Sequence, residues 1–308
     1  MQTTIQAEGL TRRFGDLVAV DHVAFEVHQG EIFGFLGPNG AGKTTTVRML
    51  TGVIDPTHGT ATIQGHDIRK EPLLSRAHIA VVPEQANVYP DLSVWQNLML
   101  MAELHGVPRQ RRLQEGESLL DALGLADRKK QKARALSKGL RQRLMLCAAL
   151  VTGPEVLFLD EPTSGLDVHS ARLIRHIVSD RNRRGLTVFL TTHNMSEADR
   201  MCSRVAIIDK GRIAAIDTPD KLRSAISSRQ YVEVSFAAVA PEMDELVALP
   251  GVSHVDEEDR TFRLYTRLPG QVLTEVVRLA DREGLEITQL GNRQPSLEDV
   301  FLYFTSER

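Results

Sequence analysis

Short continuous apolar runs recur along the first 218 residues, and each is bounded by polar or turn-forming residues. Runs of this length without alternation are typical of strands that are buried on both faces of a largely parallel sheet. The predicted strands are 31–36, 79–82, 156–159, 188–191 and 205–208. Helix-like segments separate them, so residues 1 to about 218 are predicted to form an α/β domain.

Residues from about 93 to 150 are predominantly helical in pattern. Ser93 is a candidate N-cap for a helix over 94–104, in which apolar residues recur near helical spacing. Gly106-Val107-Pro108 ends that helix, and Leu119 and Leu120 belong to the next one. We therefore expect a helical subdomain inserted between the early and the late strands.

The pattern changes after Pro219. Alternating strands are predicted at 231–236 and 261–265, with further strands at 251–255 and 285–290. Helices are predicted at 242–249 and 271–280, which gives the order β-α-β-β-α-β of the ferredoxin-like motif. A last helix, 296–304, has Ser296 as its N-cap.

The length of 308 residues favours two domains, 1–218 and 219–308. A formal net charge of −3 gives no reason to expect a nucleic-acid partner. Cys147 and Cys202 lie in apolar surroundings without metal-type spacing, and we expect both to be small core residues of a reduced compartment. The N-terminal stretch lacks a secretory signal pattern, and the longest apolar runs are shorter than the ~20 residues that span a bilayer.

The first chemical motif is GPNGAGKTT, which follows an apolar strand and precedes a helical segment. It fits G-x-x-x-x-G-K-[ST], a loop whose backbone N–H groups surround nucleotide phosphates. We expect Lys43 to reach the β- and γ-phosphates, Thr44 to bind Mg²⁺ and Thr45 to lie at the α-phosphate. The candidate cofactor-binding loop comprises Gly37, Pro38, Asn39, Gly40, Ala41, Gly42, Lys43, Thr44 and Thr45.

Two later strands each deliver polar side chains to their carboxyl ends. Asp160 follows the strand 156–159 and is a candidate Mg²⁺ ligand, directly or through water. Glu161, the next residue, suits a base that polarises an attacking water. His193 follows the strand 188–191, where a neutral or charged imidazole can hydrogen-bond the γ-phosphate.

The order GPNGAGKTT, LSKGLRQ, VLFLDEP, SGLD and TTH resembles the nucleotide-binding subunit of an ABC transporter. The resemblance covers essentially all of residues 1–218 and implies the fold of a P-loop ATPase with a helical subdomain. LSKGLRQ is similar to the family signature LSGGQ, with Ser137 and Gly139 retained and Lys138 and Leu140 departing from it. A Ser-capped helix start of this kind also favours an anion.

This resemblance implies a catalytic dimer that binds ATP and Mg²⁺. Two cassettes pair head to tail, so Ser137 and Gly139 would close the phosphate loop of a second ATPase subunit, which is either identical or different. Asp167 would lie at the dimer seam, and Phe14 resembles the aromatic residue that stacks on adenine; a core phenylalanine is the alternative for Phe14.

One loop departs from the family pattern. The family's glutamine that joins Mg²⁺ to the transporter contact normally follows the strand near Val82, and this chain reads Val82-Pro83-Glu84-Gln85. The register favours Glu84, whereas the chemistry favours Gln85. Both residues stay candidates for this role.

The resemblance implies a separate multi-span permease and a location on the cytoplasmic face of the cell membrane. From about 220 to the closing PSLEDVFLYFT, the chain is similar to the accessory domain of ATPase subunits in bacterial drug and polysaccharide exporters, so we expect an exporter. A packing or dimer-stabilising role is the alternative for this domain. A soluble ABC-type ATPase acting on ribosomes or DNA, and a small-molecule P-loop kinase, are the rival functions; the kinase gives no reason for LSKGLRQ or TTH.

Overall fold

The buried apolar runs become strands of a six-stranded sheet in the computed structural model of the chain, which describes residues 2–226, 230–237, 239–258, 260–293 and 295–306. The chain divides into two compact units, Met1–Thr218 and Pro219–Arg308.

The central sheet of the first unit has the strand order β10-β9-β3-β8-β7-β6. All neighbours pair in parallel except β10, which pairs antiparallel with β9. All five predicted strands are confirmed within one residue at each end. The strands are β3 (Ile32–Leu36), β6 (Ile79–Val82), β7 (Val156–Asp160), β8 (Thr187–Thr192), β9 (Arg204–Asp209) and β10 (Arg212–Asp217).

A second, antiparallel sheet in the first unit was not predicted. Its order is β2-β1-β4-β5, and its strands are β1 (Thr3–Phe14), β2 (Leu17–His28), β4 (His58–Ile63) and β5 (His66–Asp67). Buried and exposed residues alternate along β2, and several register shifts interrupt the pairing of β1 with β2. Polar positions interrupt most of these strands, apart from the short apolar run 17–20, so their pattern is weaker than that of the central sheet.

Five phenylalanine rings hold the two sheets together. Phe25 of β2 lies 5.5 Å from Phe33 and 5.6 Å from Phe35, both of β3, as measured between ring centroids. Phe189 of β8 contacts these three rings and also Phe158 of β7. The neighbouring strands β3, β8 and β7 are therefore fixed from the same side by one buried aromatic cluster.

The helices of the first unit include the predicted helical segment. They are α1 (Lys43–Leu50), α2 (Pro72–Ala77), α3 (Val94–Leu104), α4 (Arg109–Ala122), α5 (Lys138–Leu150), α6 (Val168–Arg183) and α7 (Met195–Met201). Ser93 caps α3 as predicted: its side chain accepts a hydrogen bond from the Gln96 N–H, and the Gln96 side chain accepts one from the Ser93 N–H. This capping box satisfies two N–H groups that the first turn leaves without helical partners.

The second unit has the predicted order of elements. Its sheet runs β12-β13-β11-β14, with all pairs antiparallel, as in the ferredoxin-like motif. A helix at the start of the unit, α8 (Pro219–Ala225), was not predicted. The other elements are β11 (Tyr231–Phe236), α9 (Met243–Val247), β12 (Val252–Glu258), β13 (Thr261–Thr266), α10 (Pro269–Glu283), β14 (Ile287–Arg293) and α11 (Leu297–Ser306).

Both cysteines are core residues of the first unit, as predicted. Cys147 is fully buried and donates a hydrogen bond to the Leu119 carbonyl, and Cys202 is 8 % exposed. Burial disfavours the thiolate and raises the pKa of both thiols above the ordinary value.

We expect neither thiol of the native protein to react with Ellman's reagent at pH 8. The raised pKa keeps both sulfurs protonated, and raising the pH to 9 should change the rate little. Both thiols should titrate at once in denaturant. The Leu17→Cys variant is the positive control, because Leu17 is 65 % exposed. Rapid modification of a native thiol would contradict the burial.

Candidate functional site

Three adjacent strand ends bring the predicted phosphate-site residues together. Leu36, the last residue of β3, pairs with Thr192 of β8, and Asp160 of β7 pairs with Thr191. The loop that follows β3 therefore meets the residues that end β7 and β8. The Thr44 hydroxyl lies 3.3 Å from Asp160 Oδ1, a contact between residues that are 116 positions apart in the chain.

The phosphate loop follows a path that side chains would obstruct. Gly42 has a φ of +106°, and a Cβ placed on it would lie 2.6 Å from the Ala19 carbonyl oxygen. A Cβ on Gly37 would lie 2.3 Å from the Ile208 carbonyl oxygen. The loop leads directly into α1, which has no side-chain cap within the described part of the chain. Its first-turn N–H groups are thus available to phosphate oxygens.

Lys43 begins α1 and turns back over the loop. Its ammonium group donates to the Gly37 carbonyl at 2.7 Å and to the Pro38 carbonyl at 3.1 Å. The side chain is only 6 % exposed, so a charge is held in a confined space. A cation buried in this way requires anionic partners.

A chain of ionisable side chains connects the loop with β7 and β8. Lys43 Nζ lies 3.2 Å from Glu161 Oε1, and Glu161 Oε2 lies 2.8 Å from His193 Nδ1. Among the described residues, Oε1 has no hydrogen-bond partner besides this ion pair with Lys43. The Glu161 side chain is 9 % exposed, whereas that of His193 is 50 % exposed.

The backbone at Glu161 adopts a sparsely populated conformation. Its φ is +49°, which is unusual for a residue with a side chain. Its N–H donates to the Thr191 carbonyl at 3.0 Å and lies 3.2 Å from the Thr191 hydroxyl. The neighbouring strand therefore holds a strained residue in place, which is common at functional sites.

Asp160 and Thr44 supply the kind of oxygen ligands that Mg²⁺ prefers. Asp160 is 5 % exposed, and its Oδ1 accepts hydrogen bonds from the hydroxyls of Thr44 and Thr191. In the described ranges no group of three or more His, Cys, Asp or Glu residues could hold a metal ion. Mg²⁺ usually binds through one or two carboxylates, with waters and substrate phosphates completing its coordination, so these residues fit such an ion.

A cavity of about 310 Å³ opens above these groups. Of the predicted residues, Glu161 and His193 line it, together with most of the loop and Glu84. Ala19 and Ser164 also line it and were not predicted as site residues. The full lining is Ala19, Pro38, Asn39, Gly40, Gly42, Lys43, Thr44, Thr45, Glu84, Glu161, Ser164 and His193.

Glu84 and Gln85 differ in position. Glu84 lines the cavity, and Gln85 is not among its lining residues. Pro83, just before them, accepts a hydrogen bond from the Gln142 side chain of α5 at 3.0 Å. The loop is thereby connected to the last residue of the signature, Gln142, on the helix that the signature begins.

The signature residues lie outside this cavity. Ser137 is the N-cap of α5 and accepts a hydrogen bond from the Leu140 N–H at 3.3 Å. Ser137 is exposed, whereas Gly139 is buried, and a Cβ on Gly139 would lie 2.6 Å from the Ser170 hydroxyl. Neither residue is brought to its own phosphate loop, so their predicted role on a second subunit's nucleotide stays a prediction.

Asp167 caps α6 and is oriented by its neighbours. Its carboxylate accepts hydrogen bonds from the Ser170 hydroxyl at 2.7 Å and the Ser170 N–H at 2.8 Å. These bonds, with a smaller contribution from the Arg143 charge, hold the pKa of Asp167 below its ordinary value. Asp167 therefore stays ionised, and its predicted place at a dimer seam stays a prediction.

Phe14 lies at the end of β1 and is 47 % exposed, which excludes the core alternative. The Arg12 guanidinium lies 4.7 Å from the centre of its ring and donates to the Asp55 carbonyl at 2.7 Å. The cavity lining does not include Phe14. A role in stacking on adenine stays a prediction.

Family models match both parts of the chain. A model described as "ABC transporter" matches residues 20–164, and one described as "ATP-binding protein DrrA1-3-like, C-terminal domain" matches residues 218–305. None of the helices in the described ranges has the length and apolar character needed to cross a membrane.

Curated relatives match over nearly their whole length. The daunorubicin resistance ATP-binding protein DrrA2 of Streptomyces coeruleorubidus is 36% identical over 99% of this chain and 95% of its own. The Nod factor export ATP-binding protein I of Rhizobium sp. (strain N33) is 37% identical over 99% of this chain and 97% of its own. A solved ATP-binding subunit of an ABC transporter is 27% identical, with a TM-score of 0.68 over 72% of this chain and 93% of that one.

Replacement of Lys43 by alanine should weaken nucleotide binding. Hydrogen bonds to charged groups contribute ~1.5–3 kcal/mol, so we expect the Kd for a fluorescent ATP analogue to rise about 10- to 100-fold. Lys70→Ala is the matched control, because Lys70 is exposed and lies outside the cavity. Equal affinities of Lys43→Ala and the parent protein in the titration would contradict the phosphate-loop assignment.

Proposed function

The chain belongs to the ATP-binding subunits of ABC transporters, and on this premise we propose how its residues bind and hydrolyse ATP. It is an ATPase that energises a separate transmembrane permease. The observation that supports the detailed proposal is the contact chain from Lys43 through Glu161 to His193 at the phosphate loop.

ATP binds with its phosphates on the loop between β3 and α1. The loop N–H groups and the start of α1 bind phosphate oxygens, and Lys43 neutralises charge on the β- and γ-phosphates. Thr44 and Asp160 would hold Mg²⁺, which, when bound, neutralises charge on the β- and γ-phosphate oxygens. Glu84, rather than Gln85, would join Mg²⁺ to the transporter contact, because Glu84 lines the cavity.

Glu161 acts as the base for the attacking water. Its carboxylate is buried, held by a strained backbone and flanked on both sides by cations or hydrogen-bond donors. A charged imidazole donates from both ring nitrogens, so His193 Nδ1 can hold Glu161 while Nε2 is left for the γ-phosphate. His193 would thereby link the position of the base to the presence of the γ-phosphate.

A second ATPase subunit completes each site. ABC ATPase subunits pair as dimers, and a solved neighbour with 23% identity is a dimeric cassette in a post-hydrolysis state, bound to ADP and inorganic phosphate. Ser137 at the exposed start of α5 would bind the partner's nucleotide, with Asp167 at the seam. The absence of Ser137 and Gly139 from the lining of their own cavity supports this arrangement.

Export is the proposed direction of transport, and the subunit would lie on the cytoplasmic face of the membrane. The relatives that match both units are named for daunorubicin resistance and Nod factor export. The permease would select the transported molecule. A role on ribosomes or DNA is not favoured, because these relatives are transporter subunits and the net charge is −3.

Glu161→Gln should preserve ATP binding and slow hydrolysis by ~10²–10⁴, the usual contribution of a general base. Phosphate release measures the rate, and light scattering after gel filtration measures the oligomer. The variant should form a stable dimer with ATP and magnesium, because hydrolysis no longer opens it. Hydrolysis at the parental rate would exclude Glu161 as the base, and a persistent monomer would contradict the two-subunit site.

A mixing experiment tests which subunit supplies the signature. We expect Lys43→Ala and Ser137→Arg each to be inactive alone; Ser137 is exposed, so the larger side chain fits the fold. If the sites are shared, a mixed dimer pairs the intact phosphate loop of one subunit with the intact signature of the other. Hydrolysis should then recover on mixing, towards a quarter of the parental rate. No recovery, despite mixed dimers detected through two different tags, would favour sites built within one chain.

A further inference from the structure

Glu197, in the first turn of α7, is a buried carboxylate that the proposed mechanism does not use. Its side chain is 1 % exposed. The only cation paired with it among the described residues is Arg175, at 3.7 Å from Oε1. Burying a charge is unfavourable unless several groups compensate it, so the identity of its other partners matters.

Two threonine hydroxyls supply the close contacts of this carboxylate. Thr163 donates to Glu197 Oε1 at 2.7 Å, and Thr192 donates to Oε2 at 3.2 Å. Each oxygen therefore binds a different segment of the chain. Asn194 fixes the helix start, because its side chain accepts a hydrogen bond from the Glu197 N–H at 3.0 Å.

The two segments are those that carry the base and the histidine. Thr163 follows Glu161 by two residues, and Thr192 directly precedes His193. The Glu161 and His193 side chains meet at 2.8 Å on the cavity side. The Glu197 carboxylate thus joins the segment that carries Glu161 to the segment that carries His193. The two side chains must keep a fixed distance from each other.

We propose that Glu197 is a positioning residue for hydrolysis, which holds the Glu161 segment and the His193 segment in register through Thr163 and Thr192. Glu197 is not among the residues that line the nucleotide cavity. Its loss should therefore reduce the rate of hydrolysis and leave ATP binding unchanged. The inference rests on the proposed roles of Glu161 and His193.

Glu197→Gln is the main variant, because it keeps the size of the side chain. An amide has one acceptor oxygen and a donor NH₂ group, so the two threonine hydroxyls can no longer both donate to it. We expect kcat to fall by at least ~10-fold, towards the ~10²-fold that a misplacement of about 1 Å can cost, with KM changed less than ~3-fold.

Glu31→Gln is the matched control. Glu31 is also a buried carboxylate of the first unit, bonded to the His28 N–H and to Arg204, but it precedes the opposite end of β3. Both variants should lower the melting temperature, which the fluorescence of the single tryptophan reports. Only Glu197→Gln should lower kcat.

Two further measurements separate positioning from a general loss of structure. Thr163→Val removes one of the two threonine hydrogen bonds to Glu197, and it should lower kcat less than Glu197→Gln does. This variant keeps the test possible if Glu197→Gln fails to fold. In a Glu161→Gln background, Glu197→Gln should slow hydrolysis less than ~2-fold further, because the group being positioned is gone.

An unchanged kcat for folded Glu197→Gln would overturn the inference, as would a full further loss in the Glu161→Gln background. A raised KM at constant kcat would also overturn it, since that indicates a binding role. These outcomes leave the proposed function intact as long as the parent protein hydrolyses ATP and Glu161→Gln hydrolyses it ~10²–10⁴ times more slowly.

Discussion

The pairing of β3, β8 and β7 as parallel neighbours is the constraint on which the site depends. Parallel strands end at the same edge of a sheet, so the phosphate loop, the acidic pair and the histidine meet there although the chain separates them widely. The ladder pairs Leu36 with Thr192 and Asp160 with Thr191, which fixes the register. A shift by one residue would turn each polar side chain to the other face.

The site concentrates features that oppose folding. Lys43, Glu161 and Glu197 are charged and largely buried, and Glu161 also has a positive φ. Buried charges are tolerated when each has a compensating partner. Loop carbonyls accept from Lys43, His193 contacts Glu161, and two threonine hydroxyls donate to Glu197. The buried aromatic cluster beneath these strands supplies apolar burial that offsets the cost. The charged site, which would be unfavourable by itself, is thereby held in a single conformation.

The sequence predicts the elements that are simple in pattern and misses those that depend on irregular pairing. Continuous apolar runs identify five strands of the six-stranded sheet, all except β10, and period-two alternation identifies β11 and β13 of the second unit. The antiparallel strands β1, β2 and β4 were not predicted; register shifts interrupt the pairing of β1 with both of its neighbours. Because β2 was not predicted, the sequence also gave no sign that Ala19 of this strand lines the cavity.

Motifs give the residues of the site but not their contacts. The loop, Asp160, Glu161 and His193 are evident because each follows a strand. Thr191 and Thr192 look like ordinary strand residues, and only the structure gives their hydroxyls as donors to Asp160 and Glu197. Register and side-chain chemistry point to different residues of the pair Glu84 and Gln85, and the proposal of Glu84 rests on its place in the cavity lining.

The pairing of β3 has a consequence for biosynthesis. Its two neighbours in the sheet, β8 and β9, both lie after residue 186 in the chain. At ~5–20 residues per second, a ribosome that has finished β3 needs about 8–30 s to make the next ~150 residues and begin β8. During that time an entirely apolar strand lacks both of its ladder partners, so its surface favours aggregation unless another segment, such as β2, covers it.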